Sequence, residues 1–388
     1  MVRHRRRGSV VSRAFDWSES QRAAQARFRA FADAEIRPQA ARADAEGRLP
    51  ADLPRRLGAA GLLLGDGLDA VELGLLHAAA GAACASTRSL LTVQGMVAGA
   101  ISRWGSAAQR ARWLAPLARG ECVAAFALSE PEAGSDALAL QCAAQADADG
   151  WRLDGRKAWT SFAQIADVYL VIARSGSDLT AFLVERGAPG LSLEALPPGL
   201  GLRAVMGANL HLQGCRLQSD ARIGGRGFGY AAVAAGALDL GRYSVACGAA
   251  GAAADCLALA LAHARERVQF GRPIGEHGAV QGLLARMLAA VQSARLQCAR
   301  AGALRQAGDP RAGAETLLAK YQATRALSAV AADAVQVLGA RGCATGHPVE
   351  RHFRDAKVLE IIEGTTQVHE WLLAREALGG AWDLPVDQ

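Results

Sequence analysis

Val168-Tyr169-Leu170-Val171-Ile172-Ala173 and, a few residues on, Thr180-Ala181-Phe182-Leu183-Val184 decide the architecture. Both runs are short and rich in β-branched and aromatic side chains, so they predict strands. Asn209-Leu210-His211-Leu212 is a third run of the same kind, and the dipeptides Asp149-Gly150, Asp154-Gly155 and Pro189-Gly190 read as turns around them. The chain from Glu121 to residue 225 is therefore expected to be a small β domain.

Outward from that block the periodicity changes. Towards the N-terminus, Ser18-Glu19-Ser20-Gln21 fits a helix capping box, and Phe28, Phe31 and Ile36 supply an apolar stripe. Further helical runs cover 68–85 and 89–118. On the other side, Gly224-Gly225-Arg226-Gly227-Phe228-Gly229 reads as a flexible joint, since its spacing is not that of a dinucleotide loop and no βαβ unit surrounds it. From Tyr230 the chain is helical almost to its end. Leu257, Ala260, Leu261 and Ala264 keep one helix face, and so do Leu284, Met287, Leu288 and Val291. Long Ala-rich helices suit a four-helix bundle. The expected fold class is α+β: a disordered basic tail over 1–14, an N-terminal α-helical domain over 15–120, a middle β-barrel-like domain over 121–225 and a C-terminal four-helix bundle over 226–388.

The length of 388 residues allows several domains with a large core. Polar residues interrupt each apolar run, so no membrane span is expected. The net charge is +6, but Arg3, Arg5, Arg6 and Arg7 lie in the tail and their removal leaves +2, which does not suggest nucleic acid. The eight cysteines show no metal or disulfide spacing and read as small buried hydrophobes of a reducing cytoplasm.

Near the C-terminus, Ile361-Ile362-Glu363-Gly364-Thr365-Thr366-Gln367 places a carboxylate directly after two isoleucines. Desolvation would lift Glu363 towards neutrality and make it a useful base, and Gly364 would let backbone approach a ligand. Phe126-Ala127-Leu128-Ser129-Glu130-Pro131-Glu132-Ala133-Gly134-Ser135-Asp136 is a loop with donors at Gly134 and Ser135. Trp159-Thr160-Ser161 sets an aromatic beside two hydroxyls, as a cover for a planar ring or as a core tryptophan. Arg265-Glu266-Arg267-Val268-Gln269-Phe270-Gly271 holds a pyrophosphate and adenine or caps a surface turn. Gln336-Val337-Leu338-Gly339-Ala340-Arg341-Gly342 ends a helix with glycines that admit a nucleotide or merely cap it.

In this order and on this architecture, these stretches resemble the acyl-CoA dehydrogenase family of flavoproteins, from about Phe15 to Leu378. The resemblance also rests on His277, Pro348-Val349-Glu350-Arg351, Arg354-Asp355-Ala356-Lys357 and Ala374-Arg375-Glu376. It implies FAD between the β domain and the C-terminal bundle. Phe126, Leu128 and Ser129 would border the flavin with Gly134 and Ser135, Trp159 and Ser161 would take the other flank, and Thr365 and Gln367 would join the cofactor set. Arg267, Gln269, Phe270, His277, Gln336, Gly339 and Ala340 would reach the FAD of a neighbouring subunit, which implies a homotetramer or, failing that, a homodimer. Ser135, Asp239, Arg242 and Gly364 would meet the acyl thioester. Glu363 matches the base that takes the α-proton while the β-hydride passes to flavin N5. No metal is implied, and an electron-transfer flavoprotein is the expected electron acceptor.

Several positions depart from the family pattern. Ser129 stands for a threonine, Gly278 for a glutamine, Val205-Met206-Gly207 for a hydroxyl-bearing run and Phe162-Ala163-Gln164 for an Asn-Gly pair. Gly65-Asp66-Gly67 is a shortened loop. With Leu91-Thr92-Val93-Gln94-Gly95-Met96, these features resemble a subgroup acting on acyl-carrier-protein thioesters in polyketide-type secondary metabolism. Oxidation of a hydroxyacyl-carrier thioester for an extender unit, an acyl oxidase using O2 and a non-catalytic flavoprotein subunit remain as alternatives.

Overall fold

The structure, a computed structural model, describes residues 17–65, 67–380 and 382; the basic tail over 1–14 and Asp66 of the shortened loop lie outside the described residues. The N-terminal part is helical: α1 Glu19–Phe31, α2 Arg37–Glu46, α3 Leu53–Ala59, α4 Ala70–Ala83, α5 Ala85–Trp104 and α6 Ala107–Ala118. The capping box is present, with Ser18 Oγ accepting from the Gln21 amide at 3.1 Å and Gln21 Oε1 from the Ser18 amide at 3.0 Å. The single helix expected over 89–118 is two, because Gly105 ends α5 and Ser106 starts α6 with a second capping box to Gln109.

The middle part comprises β1 Ala124–Ala127, β2 Ala143–Ala146, β3 Gly150–Thr160, β4 Val168–Ser175, β5 Asp178–Glu185, β6 Leu191–Ala195, β7 Ala208–Gln218 and β8 Arg222–Ile223. They form one eight-stranded sheet in the order β6-β7-β3-β2-β4-β5-β8, with β1 parallel beside β4. The continuous apolar run of β4 follows from burial on both faces. Val168, Leu170 and Ile172 join Val97, Ile101 and Trp113 of the helices, while Tyr169, Val171 and Ala173 join Leu153, Leu210 and Leu212 of the sheet. Asp154-Gly155 is not a turn but lies inside β3, where the pairing with β7 shifts register. The backbone of Cys142 passes so close that a Cβ on Gly155 would lie 2.7 Å from its Cα.

The C-terminal part contains α7 Ala235–Glu266, the hairpin β9 Val268–Gln269 and β10 Arg272–Pro273, α8 Gly278–Ala307, α9 Ala312–Leu338, α10 Pro348–Ile361 and α11 Thr366–Leu378. The glycine-rich segment before it is a clamped entry rather than a loose linker: Gly229 lies against the Thr180 backbone, and Phe228 meets Trp104 edge-on at 5.6 Å. Contrary to the sequence expectation, the helical stretch Gly229–Glu266 is long and apolar enough to cross a membrane by length and composition. Its charges are sparse because it is the central helix of the bundle, packed on α4, α8 and α9. The backbones of α4 and α7 touch at Gly81 and Gly248, which is why small residues dominate there. On α8, Met287 and Val291 are buried as their spacing predicts, but Leu288 is exposed.

Candidate active site

Between α10 and α11 the chain makes a turn that L side chains rarely adopt, with φ of +58° at Glu363 and +101° at Gly364. A left-handed glutamate costs about 1 kcal/mol, so the surroundings must hold it. Arg242 Nε donates to the Glu363 carbonyl at 3.1 Å, and the buried Lys320 Nζ donates to the carbonyls of Glu360 and Gly364 at 3.1 and 2.7 Å. Thr365 then caps α11, its hydroxyl accepting from the Val368 amide at 3.3 Å. Gln367 points to solvent on the first turn.

The Glu363 carboxylate lies on Gly241 of α7, where an added Cβ would sit 2.5 Å from Oε2 and 2.6 Å from Cδ. The residue as a whole is part-buried, yet Oε2 is buried and makes no hydrogen bond. Burial raises its pKa to about 7 against the opposing pull of Arg242, Arg88 and Lys320. Burial also lowers Lys320 to about 8, so it stays largely protonated at neutral pH. Glu360 differs. Partial burial pushes it up, but hydrogen bonds from Ser328 and Lys357 outweigh that and hold it below the ordinary range.

The β domain contributes a second group. The Ala158 amide donates to the Ser129 carbonyl at 2.9 Å, and the buried Lys157 Nζ reaches the Leu128 carbonyl at 3.0 Å and Glu130 at 2.7 Å. These bonds bring Phe126, Leu128 and Ser129 beside Trp159 and Ser161. Trp159 is 75 % exposed at φ +57°, so it is not a core residue. Thr160 Oγ1 beside it is buried without a partner, and Gly134 and Ser135 are exposed on the loop beyond β1. An uncovered aromatic with hydroxyls and an orphaned polar atom around it fits a planar, polar-edged ring system such as a flavin.

The third group stands apart. Phe270 is 95 % exposed on the β9–β10 hairpin, edge-on to the His277 ring at 5.9 Å, and His277 Nε2 lies 3.1 Å from the Gln269 carbonyl. Arg267 is exposed beside them, as are Gln336, Gly339 and Ala340 at the end of α9. Arg341 acts electrostatically on His263, so the two stretches share one end of the bundle. Arg267 follows Gly241 by 26 residues of helix, on the order of 40 Å of rise. The structure therefore does not bring this set to the Glu363 site.

Two expectations change. Asp239 is already engaged: its carboxylate accepts from Arg305 Nη1 at 2.6 Å. The Phe162–Gln164 and Val205–Gly207 segments bond to each other, with Phe162 N to Val205 O at 2.7 Å and Gln164 Nε2 to Gly207 O at 2.8 Å. Phe162 and Met206 are buried against the N-terminal helices, so these departures serve packing rather than line a substrate path. Sequence reasoning gave no role to Gly241, Lys320 or Arg88, each of which adjoins or acts on Glu363.

Residues 18–121, 125–215 and 225–378 match the N-terminal, middle and C-terminal domains of acyl-CoA dehydrogenase respectively. The chain is 36% identical over 364 residues to short-chain specific acyl-CoA dehydrogenase, mitochondrial, of Homo sapiens, covering 90% of this chain and 88% of the relative. Among solved structures it is similar to a glutaryl-CoA dehydrogenase from Mycobacterium smegmatis, with TM-score 0.90 and 33% identity over 96% of this chain and 97% of that one. It is also similar to FkbI, described as for biosynthesis of the methoxymalonyl extender unit of a polyketide, with TM-score 0.84 and 38% identity over 90% and 99% of the two chains.

Proposed function

Because the chain belongs to the acyl-CoA dehydrogenase family, we propose that Glu363 is the base of its reaction, the FAD-linked α,β-dehydrogenation of an acyl thioester. The enzyme is an oxidoreductase acting on CH–CH groups, and its cofactor is FAD. The observation that carries the assignment is the Glu363 carboxylate itself, with Oε2 buried, unpartnered and seated on Gly241. Glu363 takes the α-proton at that oxygen, while Arg242 and Lys320 fix the backbone that carries it. FAD, when bound, supplies the acceptor for the hydride that leaves the β-carbon. Phe126, Leu128, Ser129, Trp159 and Ser161 flank the flavin, Gly134, Ser135, Thr365 and Gln367 border the same site, and Ser135, Arg242 and Gly364 face the thioester.

The far-end set of Arg267, Gln269, Phe270, His277, Gln336, Gly339 and Ala340 supports assembly. A dinucleotide does not span the length of α7, so these exposed residues serve the FAD of a neighbouring subunit in a homotetramer or homodimer. An electron-transfer flavoprotein removes the electrons. The eight free thiols are compatible with a reducing cytoplasm. The likeness to FkbI favours a thioester carried on an acyl-carrier protein in secondary metabolism. Anaerobic mixing with a panel of acyl-CoA and acyl-carrier thioesters, followed by flavin absorbance, tests the reading. Bleaching by a saturated acyl thioester is expected, and no bleaching by any member of the panel overturns it.

A further inference from the structure

The glycine-rich entry to α7, over 224–229, carries groups that neither the core nor the Glu363 turn uses. Phe228 stays 45 % exposed although it meets Trp104 edge-on, and the Arg103 guanidinium lies 5.0 Å over the Trp104 ring. Arg226 pairs with Asp178 of β5 at 3.4 Å, and its Nη2 would lie 3.2 Å from a Cβ on Gly176. Gly176 and Ser177 alone join β4 to β5, with Gly176 at φ +64°, so no long loop rises over this face. Arg174 of β4 continues the face in the other direction. Its Nη1 donates to the Ser177 carbonyl at 3.4 Å and its Nη2 to the Leu138 carbonyl at 2.6 Å. Leu138 is 59 % exposed and follows Ser135, which faces the thioester, by three residues. One path of contacts therefore runs from Arg103 on α5 to the loop that receives the substrate.

The charge along this path is unbalanced. Asp178 is already committed to Arg226, and the exposed Asp136 beside Ser135 offsets one further cation. Arg103 rests on an aromatic ring, Arg110 of α6 donates to the Gly105 carbonyl at 2.5 Å, and Arg174 spends its guanidinium on main-chain carbonyls. None of these three has a carboxylate partner among the described residues. Solvated arginines are ordinary on a surface, but arginines interleaved with exposed Leu138 and Phe228 have the composition of a protein-binding patch. A nucleotide phosphate would use the guanidiniums alone. The exposed apolar side chains call for a partner that also brings apolar side chains, as a protein does.

We infer that this face docks a small acidic carrier protein, whose acyl group rides on a phosphopantetheine arm that enters past Ser135. The inference rests on the acyl-carrier form of the dehydrogenation reading above and gives that partner its seat. Carboxylates of the carrier meet Arg103, Arg110 and Arg174, which steer the encounter, while its apolar side chains cover Leu138 and Phe228. No residue of the Glu363 turn takes part, so docking and chemistry are separable.

The test places one butanoyl group on three handles: a free-standing acyl-carrier protein of net negative charge, CoA and bare pantetheine. FAD-loaded protein is compared with its Arg103→Glu/Arg110→Glu and Leu138→Ser variants. Anaerobic flavin bleaching gives the saturating rate and the half-saturating concentration, and calorimetry on the Glu363→Gln background gives Kd. For the carrier thioester, the double charge reversal should raise Kd and half-saturation at least ~10-fold, with the saturating rate within ~2-fold. Leu138→Ser should raise them ~3-fold or more. The pantetheine thioester should stay within ~2-fold throughout, which separates lost docking from a damaged site. Added salt should weaken carrier binding to wild type and spare the double variant. A carrier that binds wild type no more tightly than pantetheine does, or equal losses for the two, overturns the inference. So does a loss for the CoA thioester as large as the carrier's, which assigns the arginines to phosphate. The two readings fail separately. Bleaching by all three thioesters with no arginine dependence removes the docking face and keeps the dehydrogenation. Arginine-dependent carrier binding with no bleaching by any of them does the reverse.

Discussion

Replacing Glu363 with Gln preserves size and removes the charge, and its consequences can be worked from the buried Oε2. A carboxyl whose pKa moves from its ordinary 4.5 to about 7 is harder to ionise in the folded protein by about 3 kcal/mol. The sign follows from the raised value. Below pH 4.5 the acid is protonated in both states and folding carries no penalty. Between 4.5 and about 7 the unfolded chain releases the proton first, so wild-type stability falls, and above 7 the loss is complete. Glu363→Gln lacks this titration. In FAD-saturated urea unfolding it should match wild type near pH 4.5 and exceed it by up to ~3 kcal/mol at pH 8. The same group sets the rate. Under anaerobic single turnover the wild-type flavin should bleach faster as pH rises through about 7 and then level off, because the base must be ionised. Glu363→Gln should bleach at least ~100-fold more slowly while still binding FAD and the acyl thioester. Glu360→Gln should change little, since Ser328 and Lys357 already occupy that carboxylate. Bleaching of Glu363→Gln within ~3-fold of wild type, or a large loss in Glu360→Gln instead, would refute the assignment.

Gly241→Ala puts a methyl within 2.5 Å of Glu363 Oε2, so it should slow bleaching by about 10–100-fold with FAD content unchanged, as absorbance ratios can check. Lys320→Met removes the donors to the Glu360 and Gly364 carbonyls and should lower the rate, with a smaller loss for Lys320→Arg. Phe270→Ala leaves the Glu363 site intact, yet if the hairpin serves a neighbouring subunit's FAD it should loosen cofactor retention and assembly together, read by gel filtration with absorbance.

Much of the fold was legible because the relevant signals are local. The capping box at Ser18 and the apolar blocks of β4 and β5 appear where alternation and cap chemistry put them. The misses share one cause, which is that tertiary contact decided the outcome. Asp154-Gly155 has the composition of a turn but sits inside β3, because Gly155 is needed for the passage of Cys142 rather than for a reversal of the chain. The break between α5 and α6 was masked by continuous apolar spacing, although Ser106 and Gln109 carry the same cap signature as Ser18 and Gln21. Helix α7 looked interrupted by polar residues, yet its Ala and Gly run serves close approach to α4.

The site divides along the same line. Glu363 stood out because its anomaly is sequential, a carboxylate between isoleucines and a glycine. What makes it a base is distant in sequence: Gly241 gives it room, Arg242 and Lys320 hold its backbone, and the buried Arg88 of α5 acts on its charge. None of these advertises itself, since a glycine in an Ala-rich helix and single cations in apolar runs have ordinary explanations until the fold removes their water. The departures at Phe162 and Met206 looked like substrate-facing changes for the opposite reason, being near the site in sequence order but turned into the N-terminal core.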